Sequence, residues 1–335
     1  MHTSAYITRI TCYLPEQIVE NELTRLTKKT GILRRHIARK DETAADLAVH
    51  ASEKLFSAGI SRESIDFILL CTQSPDYILP TTACVLQDRL RLPRSCGALD
   101  YNLGCSGYIY GLGIAKGLIE AGLATRVLLL TAETYSKYLH PEDQSVVPLF
   151  GDAASATLIE GLQVQSDHEG MGSFSFGTDG SGAKHLIIPS GGAREPYAIT
   201  PEVETCDEYG NRRTNRNIYM FGAAISDFAL SVTPLMVDDV LKKSACTRED
   251  IDYFVFHQAN KFILQFLQQK CNLLDRPFWN DLGRYANTVS CSIPLALHDL
   301  YKTRSECSLK KVMLAGFGVG LSWGGCIVNL EHLRD

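Results

Sequence analysis

Apolar residues along the chain form short continuous runs, separated by longer stretches with helical spacing. Residues 5–13 and 65–72 have the length of strands, and the second run is unbroken, as in strands buried on both faces. Residues 41–58 place apolar side chains three and four positions apart behind Asp41 and Thr43. This spacing predicts a helix that Gly59 ends.

The same alternation continues through the first half of the chain. Because strands alternate with helices, we expect an α/β protein with a largely parallel sheet. Residues 161–219 are richer in Gly, Ser, Asp and Pro, which predicts hairpins and loops. The pattern further predicts helices at 80–90, from Cys105 onwards and at 223–243, and strands at 96–103, 126–131 and 153–159.

Three short sequences recur in the same order and at nearly the same separation. Residues 61–68 match 247–254, residues 126–129 match 311–314, and Cys105-Ser106 matches Cys291-Ser292. Such a repeat indicates two copies of one α/β unit. We predict an N-terminal half at 1–165 and a C-terminal half at 166–335, related by a pseudo-twofold axis. Equivalent loops would then face each other at a central site.

Composition places the chain among globular proteins and limits its partners. Of the 335 residues, 45% are hydrophobic and 21% are charged, and the net charge is -5. This balance argues against nucleic acid or an anionic membrane as a general partner. No apolar stretch reaches the length of a membrane span, and residues 1–20 lack the features of a signal peptide. We expect a cytoplasmic protein.

The eleven cysteines are scattered and include no C-x-x-C pair. This pattern predicts reduced thiols in a reducing compartment, with neither a disulfide framework nor a metal site.

Cys105 is the first candidate for chemistry. It lies between a predicted strand and a predicted helix, and the start of a helix favours the thiolate, which is the nucleophilic form of cysteine. Gly104 and Gly107 leave room for a substrate to approach the backbone. The alternative is that Cys105 is a small core residue, as cysteines in such surroundings often are.

Three features of the second half are candidates to act with this cysteine. His257 ends a predicted strand, where open α/β sheets place their ligands, and Asn287 lies in a loop before a helix. Residues 315–324 form a glycine-rich turn that leads into a strand, so we expect it to present backbone N–H groups to a reacting carbonyl. Taken singly, His257 and Asn287 are equally explained as loop and turn residues.

Taken in order, these features resemble the β-ketoacyl-acyl-carrier-protein synthase III family of thiolase-fold condensing enzymes. The resemblance covers nearly the whole chain, and it implies an α/β thiolase fold in which two pseudo-symmetric halves form five layers, αβαβα. The matching segments are Thr30-Gly31-Ile32, Arg35-His36-Ile37-Ala38, Gly104-Cys105-Ser106-Gly107, Phe150-Gly151-Asp152, His257-Gln258-Ala259-Asn260, Tyr285-Ala286-Asn287-Thr288, Ser292-Ile293-Pro294-Leu295-Ala296-Leu297 and Gly316 to Gly324.

The resemblance implies catalytic roles for Cys105, His257 and Asn287. Cys105 would take an acyl group from an acyl thioester, and His257 and Asn287 would stabilise the enolate formed when a malonyl-type thioester loses carbon dioxide. The backbone N–H groups of Cys105 and Val319 would form the oxyanion hole. No metal or redox cofactor is implied, because the substrates are acyl-coenzyme A or acyl-carrier-protein thioesters. Three residues would form the floor of the site, namely Phe317, Gly318 and Gly320.

The resemblance also implies two protein partners. One is a second copy of the chain in a homodimer, in which Leu79 would line the acyl pocket across the interface. The other is an acyl carrier protein, which is acidic and would dock on basic residues. Candidates for this dock are Lys261, Arg35 and Lys29.

The chain departs from the family where coenzyme A is usually held. It has no Trp before Thr30, and Gln144, Ala223 and Phe262 stand where the family has Arg, Asn and Arg. We therefore expect a specialised member, from a lipid, secondary-metabolite or polysaccharide gene cluster. The alternatives are an acyltransferase that moves the acyl group from Cys105 to an alcohol or amine, a non-catalytic subunit of a heterodimer and a Cys-His hydrolase.

Overall fold

Two β-sheets organise the molecule, and a computed structural model describes them through residues 2–164, 170–304 and 307–334. The strands are β1 His2–Tyr13, β2 Gln17–Glu20, β3 Arg34–Ile37, β4 Phe67–Cys71, β5 Gly97–Tyr101, β6 Arg126–Glu133, β7 Ala153–Val164, β8 Met171–Thr178, β9 Leu186–Ile187, β10 Glu204–Cys206, β11 Arg212–Thr214, β12 Tyr219–Met220, β13 Tyr253–Phe256, β14 Val312–Gly318 and β15 Ser322–Val328. The helices are α1 Arg25–Thr30, α2 Ala44–Ser57, α3 Thr82–Arg89, α4 Gly107–Glu120, α5 Gly222–Lys243, α6 Lys261–Lys270, α7 Leu282–Tyr285 and α8 Ser292–Arg304.

The two sheets have matching strand orders. The first sheet runs β1-β7-β6-β4-β5 and the second runs β8-β15-β14-β13. Phe278 forms an isolated parallel bridge to Phe254 of β13, at the position that β5 occupies in the first sheet. This correspondence supports the repeat inferred from the sequence. The division into halves at residue 165 stays a prediction, because residues 165–169 lie outside the described part of the chain.

The sheets are mixed rather than largely parallel, so that prediction was wrong for the outer strands. β4 is parallel to β5 and β6, whereas β7 is antiparallel to both β6 and β1. β7 follows β6 through a loop without a long crossover helix, and a strand that returns in this way pairs antiparallel.

Helices α4 and α8 lie between the two sheets. Helix α4 contacts strands of both sheets, and Tyr108, Ile109 and Leu112 on it are fully buried. A helix that is enclosed on opposite sides must be apolar around most of its circumference, as the sequence of α4 is. Helices α2 and α3 cover the outer face of the first sheet, and α5 covers that of the second together with α6. The result is the five-layer αβαβα arrangement.

The lengths and hydropathy of the helices show whether any of them could span a membrane. Within residues 2–164, 170–304 and 307–334, no helix is both long enough and apolar enough to cross a bilayer.

Candidate active site

Cys105 lies in the turn between β5 and α4, and its side chain is almost completely buried. A Cβ at position 104 would come within 2.6 Å of Gln73 Oε1 and 2.7 Å of Val319 Cγ1, so a residue larger than glycine would displace these side chains. The central helix α4 begins two residues after Cys105. The turn therefore holds the sulfur at the junction of the two sheets.

The end of β14, which leads into the glycine-rich turn, packs directly on this cysteine. A Cβ at Gly316 would lie 2.7 Å from the carbonyl oxygen of Cys105, and one at Gly318 would lie 2.9 Å from Sγ. The backbone N–H groups of Cys105 and Val319 lie close enough to the sulfur to lower the pKa of the thiol. Two donors that converge in this way have the arrangement of an oxyanion hole.

The resting state of Cys105 differs from the expectation based on its helix. The pKa of the thiol is raised to about 12, mainly by burial and next by the carboxyl of Glu133, and the two backbone N–H groups oppose these effects only in part. With its pKa raised in this way, the cysteine rests as a thiol at neutral pH. The sulfur must therefore lose its proton while the acyl donor is bound.

We expect alkylation of Cys105 by iodoacetamide to increase about tenfold with each pH unit from 7 to 10, since only the thiolate reacts. Mass analysis of the Cys105 peptide measures the rate, with Cys105→Ser identifying the modified site. A plateau below pH 9 would contradict the raised pKa.

His257 follows β13, and its backbone N–H donates to Ala315 O at 2.7 Å. Its Nδ1 is 2.6 Å from Ser292 Oγ. That hydroxyl also accepts from Gln258 N–H, and Nδ1 is its only acceptor among the described residues, which assigns the imidazole proton to Nε2. Burial lowers the pKa of His257 to about 3. The ring is therefore neutral at physiological pH and can donate from Nε2.

Asn287 is held by its backbone and by its side-chain oxygen. Its N–H donates to Leu149 O at 3.1 Å, and its carbonyl accepts from Gly151 N–H at 3.0 Å. Oδ1 accepts from Val289 N–H at 2.9 Å, and no described residue accepts from Nδ2. The amide is therefore oriented with its two N–H groups available to a ligand.

The loop around Asn287 contains backbone strain. Ala286 and Val289 have φ angles of 62° and 55°, in the left-handed region that non-glycine residues rarely adopt. Such conformations persist where the surrounding structure imposes them, and they cluster at functional sites. This strain supports a functional role for the loop.

One cavity of about 410 Å³ brings the predicted residues together. Cys105, His257, Asn287, Phe317 and Gly318 all line it. The ring of Phe317 meets the imidazole of His257 edge to face, with centroids 5.6 Å apart. Gly320 does not line this cavity. It lies farther along the turn, where its φ of 142° lets the backbone turn back into β15.

The mouth of the cavity carries two of the three basic residues predicted to dock a carrier. Lys29 is exposed, and its ammonium lies 4.1 Å from the centre of the Phe262 ring. Lys261 is also exposed and packs its stem beside Gly31. Arg35 is different, because it is buried and donates to Asn21 Oδ1 at 2.9 Å and to Phe150 O at 3.5 Å. The assignment of Arg35 to the dock was therefore wrong, since a charge pattern does not reveal burial.

Leu79 is 80% exposed and does not line either cavity next to Cys105 on its own chain. Tyr77 and Ile78 beside it are also exposed. If Leu79 lines the acyl pocket of a partner subunit, its loop must be apolar and exposed on a single chain, as it is here. That prediction stays open.

Sequence reasoning missed the buried carboxyl of Glu133. It accepts from Ser290 Oγ at 2.7 Å, from Gln73 N at 3.1 Å and from Ser74 Oγ at 3.2 Å. Burial raises its pKa to about 8. Glu133 thus joins the loop after β4 to the loop of Asn287, and no sequence signal marked it because its partners are far apart along the chain.

Cys291, the counterpart of Cys105 in the repeat, is fully buried. Its sulfur contacts Thr131 Oγ1 at 3.3 Å and Ala153 O at 3.2 Å. The structure thus places it in the core rather than in the cavity.

The fold and the composition of this cavity define the class of protein. Five αβαβα layers, with a cysteine at the central helix and a histidine and an asparagine from the second sheet, are the arrangement of a thiolase-fold condensing enzyme. Comparison with known proteins identifies the family. Residues 99–180 match the model of 3-oxoacyl-[acyl-carrier-protein] synthase III, and residues 241–330 match the model of its C-terminal part.

Individual relatives agree over nearly the whole chain. A β-ketoacyl-[acyl-carrier-protein] synthase III of Clostridium perfringens is 35% identical, covering 95% of this chain and 97% of that protein. A crystal structure of a 3-oxoacyl-(acyl-carrier-protein) synthase III is 47% identical, with a TM-score of 0.93 and coverage of 97% and 99%. The synthase structure from Burkholderia xenovorans LB400 is 35% identical, with a TM-score of 0.88 and coverage of 98% and 95%. The chain belongs to the β-ketoacyl-acyl-carrier-protein synthase III family, and it is an acyltransferase of the condensing type.

Proposed function

We propose that Cys105 accepts an acyl group from a thioester, and that the acyl group then condenses with a malonyl-type thioester that loses carbon dioxide beside His257 and Asn287. The observation that carries this proposal is the cavity itself. Cys105, His257 and Asn287 all line this one space, which supports a reaction between groups bound at the sulfur and at the two side chains.

In the first half-reaction, Cys105 Sγ attacks the thioester carbonyl. The Sγ–C bond forms, the bond from carbon to the donor sulfur breaks, and the thiol proton ends on the departing thiol. Backbone N–H groups of Cys105 and Val319 hold the oxyanion of the tetrahedral intermediate. Because the thiol rests protonated, the reaction depends on these donors rather than on a preformed thiolate.

In the second half-reaction, His257 Nε2–H and Asn287 Nδ2–H donate to the carbonyl oxygen of the malonyl-type thioester. The bond to the carboxylate breaks, carbon dioxide leaves, and the electron pair remains as the enolate that these donors stabilise. The enolate carbon attacks the acyl-Cys105 carbonyl, and the sulfur leaves and regains a proton. Neutral His257 suits this role because it enters the reaction already able to donate.

The donor most compatible with the mouth of the cavity is an acyl group on a carrier protein. Lys29 and Lys261 are exposed there, whereas the Trp and Arg that would enclose an adenine are replaced. An acidic carrier would be attracted to these lysines although the whole chain has a net charge of -5. This combination supports a specialised member of the family.

The exposed loop of Tyr77, Ile78 and Leu79 supports a homodimer. Large apolar side chains that are contiguous and exposed commonly mark an interface. In such a dimer the loop would close the acyl side of the partner's site.

Intact-mass measurement tests the nucleophile and the donor together. The protein is incubated with the same acyl group on coenzyme A and on a carrier protein, with Cys105→Ala as the control. We expect a single acyl adduct that Cys105→Ala lacks, and we expect Lys261→Glu to raise KM for the carrier-bound donor alone. Release of carbon dioxide from malonyl-carrier protein distinguishes condensation from simple acyl transfer. If no donor forms an adduct, the chain is a non-catalytic subunit.

A further inference from the structure

A second cavity, of about 250 Å³, lies on the other side of Val319 from the catalytic residues. Leu186 lines both cavities, so they are adjacent, and Tyr135 of the second cavity belongs to the same buried cluster as Cys105. Since one water occupies about 30 Å³ in the liquid, the second cavity has room for a short chain. An acyl group on Cys105 that extends past Val319 would enter this second cavity.

The walls of this second cavity differ sharply from one another. One wall is apolar and consists of Leu186, Ile187, Ile188 and Ile218. The opposite wall carries Gln73, Asn102 and Tyr135. Tyr135 is buried, Gln73 is half-buried and Asn102 is exposed at the rim. A plain hydrocarbon chain here would cover polar groups of Gln73 and Tyr135 without giving them a hydrogen-bond partner.

The polar side chains are connected and still have unused donors. Tyr135 O–H donates to Gln73 Oε1 at 2.5 Å, and Gln73 Nε2 donates to Asn102 Oδ1 at 2.9 Å. Each amide has two N–H groups, so one on Gln73 and both on Asn102 remain without an acceptor among the described residues. The connected set is therefore fixed in orientation and ready to bind an oxygen atom.

The position of the polar side chains and the charge of the lining limit which chemical groups the second cavity can bind. Gln73 Oε1 lies so close to Gly104 that a Cβ there would be 2.6 Å away, which places the polar wall beside Cys105 itself. The bound oxygen must therefore sit within the first few carbons of the acyl group. No described lysine or arginine lines this cavity, so a carboxylate there would have no cation to pair with. The pocket thus suits a neutral oxygen rather than a carboxylate.

We propose that Gln73, Asn102 and Tyr135 select a short acyl group that carries a neutral oxygen substituent, a hydroxyl or a ketone, a few carbons from the thioester. This proposal rests on the proposed acylation of Cys105 and names its substrate class. The acyl group moves from the donor sulfur to Sγ as described above, and its substituent oxygen binds the free amide N–H groups without taking part in bond making.

The test compares acyl groups that differ by one oxygen. Acylation of Cys105 by butyryl, 3-hydroxybutyryl, 4-hydroxybutyryl and succinyl donors is followed by intact mass. We expect at least one hydroxybutyryl donor to exceed butyryl in kcat/KM by about tenfold or more, since a site built to bind a hydroxyl discriminates against its absence. Succinyl donors should react most slowly.

Two variants test which residues supply this preference. Gln73→Met preserves the length of the side chain but removes its amide, and Tyr135→Phe removes only a hydroxyl. Both should lower the ratio of hydroxybutyryl to butyryl kcat/KM by about threefold to tenfold. Tyr110→Phe is the matched control, because its hydroxyl donates to Gly177 O at 3.2 Å away from this cavity, and its ratio should equal that of the wild type.

The outcomes separate this proposal from the proposed function. Adducts that form equally well or better with butyryl, or best with succinyl, would overturn the selectivity and leave the nucleophile established. A hydroxybutyryl preference that persists in both variants would overturn the assignment to these residues. The complete absence of adducts would instead overturn the proposed function, and this inference with it.

Discussion

Gly318→Ala is expected to lower the rate of Cys105 acylation by at least about 100-fold. The added Cβ would lie 2.8 Å from Cys105 Cβ and 2.9 Å from Sγ, closer than carbon and sulfur atoms approach without bonding. Either the sulfur or the turn must move, and both carry the oxyanion hole, in which the loss of one donor costs about 100- to 1,000-fold. Intact mass with a time course of adduct formation measures the effect.

Gly117→Ala is the matched control for this substitution. It adds the same methyl group on helix α4, where nothing lies within 4 Å of the new Cβ. Its acylation rate should equal that of the wild type, and thermal unfolding shows whether each variant is folded. A folded Gly318→Ala protein with a normal acylation rate would mean that the turn does not constrain the nucleophile.

Asn287→Asp is expected to lower the decarboxylation of a malonyl-type thioester by at least about 100-fold. The new side chain has the same shape and still accepts from Val289 N–H. Its second oxygen, however, replaces the Nδ2 donor by an acceptor that repels the developing enolate. Acylation of Cys105 should be much less affected, because Asn287 acts in the second half-reaction. Carbon dioxide release and adduct mass measure the two steps separately.

Asn280→Asp provides the matched control. Asn280 also accepts from a backbone N–H two residues ahead, that of Leu282 at 3.1 Å, but it lies outside the cavity. Decarboxylation should be normal in this variant. Equal losses of acylation and decarboxylation in Asn287→Asp would show that the residue supports the loop and not the enolate.

The sequence predicted the fold and the central residues well because these depend on order along the chain. Strand and helix alternation, the internal repeat and the position of Cys105 before a helix are all local or periodic signals. His257 stood out because it ends a predicted strand and Asn287 because its loop precedes a predicted helix, but their catalytic roles came from the resemblance to the synthase III family. The antiparallel course of β7 was missed, since strand length alone does not give direction.

Properties that depend on burial could not be predicted in the same way. Arg35 belongs to a basic stretch and yet lies inside, and the thiol pKa of Cys105 is set by its buried surroundings more than by its helix. Gln73, Asn102 and Tyr135 follow the parallel strands β4, β5 and β6, and the sequence pattern did not show that these three strands are neighbours in one sheet. Such groupings arise only from tertiary packing.

The position of the site between the two sheets has a consequence for how mutations act. Cys105 follows the first sheet, whereas His257, Asn287 and Val319 belong to the chain segments of the second. The distance from the nucleophile to its partners is therefore a distance between layers, set by the packing of α4 and α8. A large-to-small substitution in that central layer would misalign the reacting groups before it unfolded the protein. The catalytic rate should therefore respond to packing in this layer more sensitively than the melting temperature does.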